Sequence, residues 1–350
     1  MRIFKESVDR KRLSIINDMP ISIDIRQSSP GRVRFKNGST SQIGCLGCIN
    51  PRCMSFSEQE IECDYVSSFP CDKSIGVCPV DALSWDIVID APTIDICKCI
   101  SCGICVSRCP IGAMYFSEQG EVHINSNTGY TEKNKIPDSS VKDIHLSQIK
   151  QLIKIPHTGI LLNASDTLFE RVYKKPLGID SKYHNFIGRN LLIALGCKCS
   201  MRRIGDVYTR MDAIYLSSTG TFGAIEIEFG RDTLEAVRGI LDDIAVLHTR
   251  YGIHRNNNKA MVICLQLPNE RQGYWQVVKD IKSVEKIKIG TVTVGGLMFL
   301  LWNGCTLKPE NDLYYLDYDN MDLRNILSKE TGVAEIGLSK RKLGIMEPMK

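Results

Sequence analysis

The chain has 350 residues, 43% of them apolar and 24% charged, and a formal net charge of +4. That length exceeds one small cofactor module and suits two buried cores, while the mild charge permits a nucleic-acid partner without demanding one. Fifteen cysteines follow a start, Met1-Arg-Ile-Phe-Lys-Glu, that has no apolar leader; the pattern argues against a secreted disulfide scaffold and for a reducing, cytoplasmic setting.

Residues 1–42 are polar and read as an N-terminal extension, with a turn at Ser29-Pro-Gly31 and a strand over Gly31-Arg-Val-Arg-Phe-Lys36. Cysteines then cluster. Cys45-Leu-Gly-Cys48 is followed by Cys53, by an insertion over 54–77 holding Cys63 and Cys71, and by Cys78-Pro79-Val-Asp-Ala82. A second run, Cys99-Ile-Ser-Cys102-Gly-Ile-Cys105-Val-Ser-Arg-Cys109-Pro110, continues into Ile-Gly-Ala113. The two Cys-Pro segments form an internal repeat, and their tails match too: Leu83-Ser-Trp-Asp86 and Met114-Tyr-Phe-Ser117. Cysteines three apart on a tight turn can aim three thiolates at one cluster, whereas a fourth before proline starts to point elsewhere. Gly103 lets the backbone pass close to such a group. A zinc site is the rival reading of the same run.

This spacing resembles that of two-cluster bacterial ferredoxins over residues 43–125. The resemblance implies two 4Fe–4S clusters with exchanged ligands. Cys99, Cys102, Cys105 and Cys78 would hold one, and Cys45, Cys48, Cys53 and Cys109 the other. The four residues between Cys48 and Cys53 occur in some seven-iron ferredoxins, which leaves room for a 3Fe–4S cluster there. Cys71 is the alternative to Cys53; Cys63 and Cys97 read as spare thiols.

Residues 126–154, rich in Asn, Ser, Thr and Lys, read as a linker. Regular patterns return over 155–330. Asn185–Leu195 reads as a helix stopped by Gly196, Met211–Leu216 and Gly223–Phe229 as strands joined by the turn Ser217–Phe222, and 231–250 as a helix with an apolar stripe at Leu234, Val237, Leu241, Ile244, Ala245 and His248. Met261–Leu267 reads as a buried strand, Gly273–Glu285 as a helix and Lys286–Val294 as a strand. These elements call for a mixed β-sheet flanked by helices. Residues 331–350 read as a basic, loosely ordered tail. The fold class is therefore a two-domain α+β and α/β chain, the iron–sulfur module coming first.

Three carboxylates fall on the central hairpin. Glu226 and Glu228, two apart on one strand, share a face. Asp212 on the neighbouring strand joins that face if the connecting loop has an odd number of residues; a two-residue turn would separate them. Converging acids repel unless a divalent cation neutralises them, and oxygen ligands suit Mg2+ or Mn2+. Alternatively, the two glutamates form the solvated face of an edge strand and Asp212 serves a turn.

The order of elements over about 170–300 resembles the PD-(D/E)XK nuclease superfamily, which includes restriction endonucleases and DNA repair nucleases. By that resemblance Asp212 and Glu226 hold the metal, and Glu226-Ile-Glu228 is the last motif. Glu228 replaces the usual lysine; some members use glutamate there and cut DNA, and others that lost the lysine are inactive. Arg231 or Lys259 could supply the missing cation, and Glu170 an extra acid. Cys197, Cys199, Cys264 and Cys305 read as small apolar residues, His248 as a core histidine, and Arg202-Arg203 and Lys340-Arg-Lys342 as solvated surface.

Two functional classes follow. The first is a metal-dependent DNA endonuclease, of restriction, defence or repair type, carrying an iron–sulfur domain. The second is a ferredoxin-type electron-transfer subunit with a docking domain and a redox partner chain; neither Gly-x-Gly-x-x-Gly nor a phosphate loop is present to suggest an internal acceptor. A catalytically inactive nucleic-acid-binding module is a variant of the first. The longest apolar stretch, Gly295–Trp302, is too short to span a bilayer, so no membrane association is expected.

Overall fold

The computed structural model describes residues 32–35, 40–42, 45, 51–88, 91–109, 113–117, 120–124, 152–153, 172–230, 233–333, 336 and 343–350. The chain forms two compact units. The first comprises Met1–Ser55, Gly76–Val172 and Trp302–Gly304; the second comprises Phe56–Ile75, Tyr173–Leu301 and Cys305–Lys350.

In the first unit, β1 (Arg32–Phe35) pairs antiparallel with β2 (Thr40–Gln42). The internal repeat becomes a structural repeat. Each Cys-Pro segment leads into a two-stranded antiparallel hairpin: β3 (Leu83–Asp86) with β4 (Ala91–Ile94), and β5 (Met114–Phe116) with β6 (Val122–Ile124). Between the hairpins, Gly103 at φ 84° starts the short helix α1 (Ile104–Arg108). Gly103 is required by more than its dihedral, since a Cβ there would stand 2.8 Å from Phe116 and 2.9 Å from the Trp302 indole nitrogen. Trp302 packs edge-on against Phe116 and donates its indole N–H to the Cys102 carbonyl at 2.9 Å. Ile100, Ile104, Val106, Met114, Phe116 and Val122 complete this small core. β7 (Leu152–Ile153) pairs with β1, so the end of the expected linker is a strand; the rest of 126–154 lies outside the described residues.

The second unit is built on a five-stranded mixed sheet in the order β12-β11-β10-β9-β8. Helix α2 (His184–Ala194) precedes β8 (Lys198–Met201), β9 (Ala213–Leu216) and β10 (Phe222–Glu228), which form an antiparallel meander. Helix α3 (Thr233–Tyr251) crosses to β11 (Met261–Cys264), and α4 (Tyr274–Glu285) to β12 (Gly290–Thr293); these last strands run parallel to β10, a pairing that needs such crossovers. α5 (Val294–Trp302) and α6 (Arg324–Thr331) follow. β10 is apolar where it faces α2: a Cβ at Gly188 would meet the Ile227 side chain at 2.6 Å.

Three expectations change. The insertion is not part of the ferredoxin-like module, because Phe56–Ile75 belongs to the second unit. It lies along β8: the Cys63 N–H donates to Ser200 Oγ at 2.7 Å, that hydroxyl donates to the Ile61 carbonyl at 3.1 Å, and the Asp72 N–H donates to the Met201 carbonyl at 2.8 Å. Next, β8, α5 and α6 are elements the sequence patterns did not announce. Finally, the end of the expected tail is anchored. Ile345 and Met346 are buried, and the carbonyls of Gly344, Ile345 and Met346 accept hydrogen bonds from Leu267, Thr293 and Leu323. Lys340, Arg341 and Lys342 lie outside the described residues. Among the described residues no helix is long and apolar enough to cross a membrane.

Candidate functional site

The first unit holds a cavity whose lining includes the thiols of Cys78, Cys99, Cys102 and Cys105. Its open space is about 350 Å³, mouth included, and the rest of its wall is mostly apolar, from Val77, Val80, Ile94, Ile100, Ile104 and Val122. Backbone N–H groups point at sulfur: Ala82 donates to Cys78 at 3.2 Å and Ser101 to Cys99 at 3.4 Å. Ser101 and Asp81 take left-handed φ angles of 56° and 53° to reach this geometry. Burial is the first cause that pushes the thiols of Cys78, Cys102 and Cys105 up, with neighbouring cysteines adding to it. The thiols of Cys78, Cys102 and Cys105 therefore stay protonated unless a metal centre neutralises their charge.

The set has a direct relation to the other run. Cys105 also feels Cys53, and Arg108 Nε donates to the Arg52 carbonyl at 2.7 Å, tying the neighbour of Cys109 to the neighbour of Cys53. Cys53 and Cys109 are buried and Cys45 half-buried, while Cys48 lies outside the described residues. Cys97 is exposed. Cys71, the alternative ligand, belongs to the second unit, where it forms a bridge with Arg202. Cys63 is buried there as well, its thiol pushed up to about 11 chiefly by burial.

In the second unit the loop between β9 and β10 has five residues, 217–221. Thr221 returns its carbonyl to the Ser217 N–H at 2.8 Å, and Gly220 turns the chain at φ 86°. With Ala213 paired to Ile225, the next pair outward is Asp212 and Glu226. The odd loop thus puts Asp212, Glu226 and Glu228 on one face. The edge-strand alternative does not hold, because β10 is the middle strand of five. Nor is Asp212 a turn residue. Its carboxylate accepts from Asn185 Nδ2 of α2 at 3.0 Å and from the Ile227 N–H at 2.9 Å.

The face is crowded with charge. Burial, then Asp212 and Asp243, push Glu226 up to about 10. Asp243, on α3, is pushed up to about 6, again chiefly by burial. The sequence reading missed this residue. Glu228 departs from its expected part: its carboxylate turns back to accept the Gly230 N–H at 2.5 Å. The expected cations also differ. Lys259 binds Asp312 at 2.8 Å, at the far end of β10 beside Phe222, and Arg231 and Glu170 lie outside the described residues. The cation present is Arg202, first read as solvated surface. Its Nη2 stands 3.6 Å from Asp212, and its Nη1 donates to the Thr209 carbonyl at 2.8 Å. His248 is exposed rather than in the core, stacked edge-on to His254. Cys197, Cys199 and Cys264 are buried core residues, as read.

Among the described residues no three His, Cys, Asp or Glu side chains are gathered closely enough to enclose a single ion. Cys78, Cys99, Cys102 and Cys105 line a cavity, and in the second unit Glu226 and Asp243 meet carboxyl to carboxyl. Comparison with family models, curated proteins and solved structures finds no match for this chain.

Proposed function

We propose that this chain is a divalent-metal-dependent DNA endonuclease carrying a two-cluster iron–sulfur module. The observation that carries the nuclease reading is the register that sets Asp212 across from Glu226 on the meander β8-β9-β10, preceded by α2 and followed by α3 and a parallel strand. That is the element order expected of a PD-(D/E)XK core. Asp212 and Glu226 are the residues that would hold the cation. Bound there, Mg2+ or Mn2+ supplies Lewis acidity to a phosphodiester and lowers the pKa of a water. The chain's own residues do the rest. Asn185 and the Ile227 N–H fix the Asp212 carboxylate, and Arg202 brings a guanidinium to the site, where a scissile phosphate needs a positive partner.

For the first unit the carrying observation is the cavity walled by Cys78, Cys99, Cys102 and Cys105. A cubane spreads its sulfur ligands around a volume, whereas zinc draws four thiolates to one point. Anaerobic protein should be brown and carry about eight irons, or seven with a three-iron cluster.

The decisive experiment is plasmid cleavage by anaerobically purified protein with Mg2+ or Mn2+, beside Asp212→Ala. Cleavage lost in the variant at unchanged iron content supports the reading. No cleavage by the parent on any DNA or RNA overturns it. The electron-transfer reading would then lead, favoured by the proximity of Cys53 to Cys105, which brings the two ligand sets together.

A further inference from the structure

The helix that covers β10 carries an acid where packing calls for an apolar side chain. α3 buries Ala236, Val237, Ile240, Ile244 and Leu247, and Asp243 among them at 1% exposure. Both Asp243 oxygens are buried, and among the described residues no N–H group or hydroxyl donates to either; the side chain that meets them is the Glu226 carboxyl. An ionised carboxylate so placed costs several kcal/mol unless something positive meets it. Its neighbour is another acid. Asp243 interacts with Glu226, whose carboxyl also lies 3.7–3.9 Å from the Cβ position of Gly239, one turn earlier on α3. Asp212 adds a third carboxylate, and the cation acting on all three among the described residues is the guanidinium of Arg202. Glu226, pushed up to about 10, holds a proton at neutral pH, and a divalent cation at this place would displace that proton and neutralise the three carboxylates together.

We propose that Asp243 is a ligand of a Mg2+-class divalent cation, completing with Glu226 of β10 and Asp212 of the β9 end a three-carboxylate site from which Glu228 is excluded. The donor set is all oxygen, which selects hard cations. Three different elements supply it, so their approach is set by the fold and not by one flexible loop. Glu228 shares the face but spends its carboxylate on the Gly230 N–H. Without a cation Glu226 and Asp243 meet carboxyl to carboxyl and share a proton, the place a cation would take. The inference deepens the nuclease reading and rests on it only for the reaction; cation binding stands on these residues alone.

The test is calorimetric titration of Mn2+ into the anaerobically purified full chain with its iron in place. The parent should take up one Mn2+ at the second unit. Asp243→Asn should weaken that binding at least about tenfold, equivalent to about 1.4 kcal/mol. Glu228→Gln should leave it within about twofold. Because Asp243→Asn could alter folding, a second readout is the melting temperature. Mn2+ should raise it in the parent and fail to raise it in Asp243→Asn, whatever the variant's own starting point. Unchanged Mn2+ affinity in Asp243→Asn, or no Mn2+ binding by the parent, overturns the proposal. Asp243-dependent Mn2+ binding by a chain that cleaves no nucleic acid upholds the site and overturns the nuclease reading.

Discussion

At the residue scale, the buried acid face makes stability depend on pH in a definite direction. Glu226 is pushed up from 4.5 to about 10, first by burial and then by Asp212 and Asp243. Asp243 is pushed up from 3.8 to about 6 by burial. An acid whose folded pKa exceeds its unfolded value favours folding while protonated. Its contribution is complete below the unfolded pKa and declines as pH rises toward the folded one. Cation-free protein should therefore melt at a higher temperature near pH 6 than near pH 9, a shift of roughly 2–4 °C for each kcal/mol involved. Glu226→Gln should flatten the slope, and Mn2+ should flatten it in the parent by replacing the proton. Equal melting temperatures across that range would show that water reaches the acids. Asp243 was within reach of sequence reading. The apolar stripe assigned to α3 was right at Val237 and Ile244 but also took Leu241, Ala245 and His248, where the buried face continues through Ala236, Ile240, Asp243 and Leu247. A charged residue that falls on the better-phased buried row is the signal, and an error of one helical position hid it.

At the element scale, the legible parts were those whose pattern is local. The helix over 184–194 and the strands around the five-residue loop declare themselves in periodicity and turn residues, whereas the two Cys-Pro segments showed themselves as a sequence repeat and not as hairpins. β8 did not. Lys198-Cys-Ser-Met201 has no β-branched or aromatic residue, and its extended state comes from pairing with β9 on one side and from the distant segment 56–75 on the other. That segment also supplies Asp72, half of an ion pair with Arg189 of α2 at 3.8 Å. Arg189 is almost fully buried, its Nη1 and Nη2 make no hydrogen bond, and Asp72 is the carboxylate paired with it. Breaking a buried pair from one side leaves an uncompensated charge and costs about 3–5 kcal/mol. Asp72→Ala should lower the melting temperature accordingly while the visible absorption of the iron–sulfur module persists. Loss of that absorption without a change in melting would return the insertion to the first unit.

At the scale of the whole molecule, the chain passes between its two units several times: at 55–56, at 75–76, at 172–173 and on either side of Trp302–Gly304. A cut through the apparent linker cannot separate them cleanly. Composition suggested otherwise, because it registers where polar residues gather and is blind to which strand a remote segment covers. The consequence is testable. Fragment 155–350 would begin after the expected linker and contain the whole five-stranded sheet. It would lack Phe56–Ile75, exposing the Ser200 hydroxyl that Cys63 engages and the Met201 carbonyl that Asp72 engages, and leaving Arg189 buried without Asp72. An uncovered strand edge is a template for association, and the stranded guanidinium adds several kcal/mol of destabilisation. The fragment should therefore aggregate or unfold at a temperature where the full chain is intact. Adding a peptide spanning residues 56–75 should rescue its solubility, because that segment's partners lie in the retained sheet. A fragment that is soluble, monomeric and as stable as the parent without the peptide would show that the insertion merely decorates the sheet.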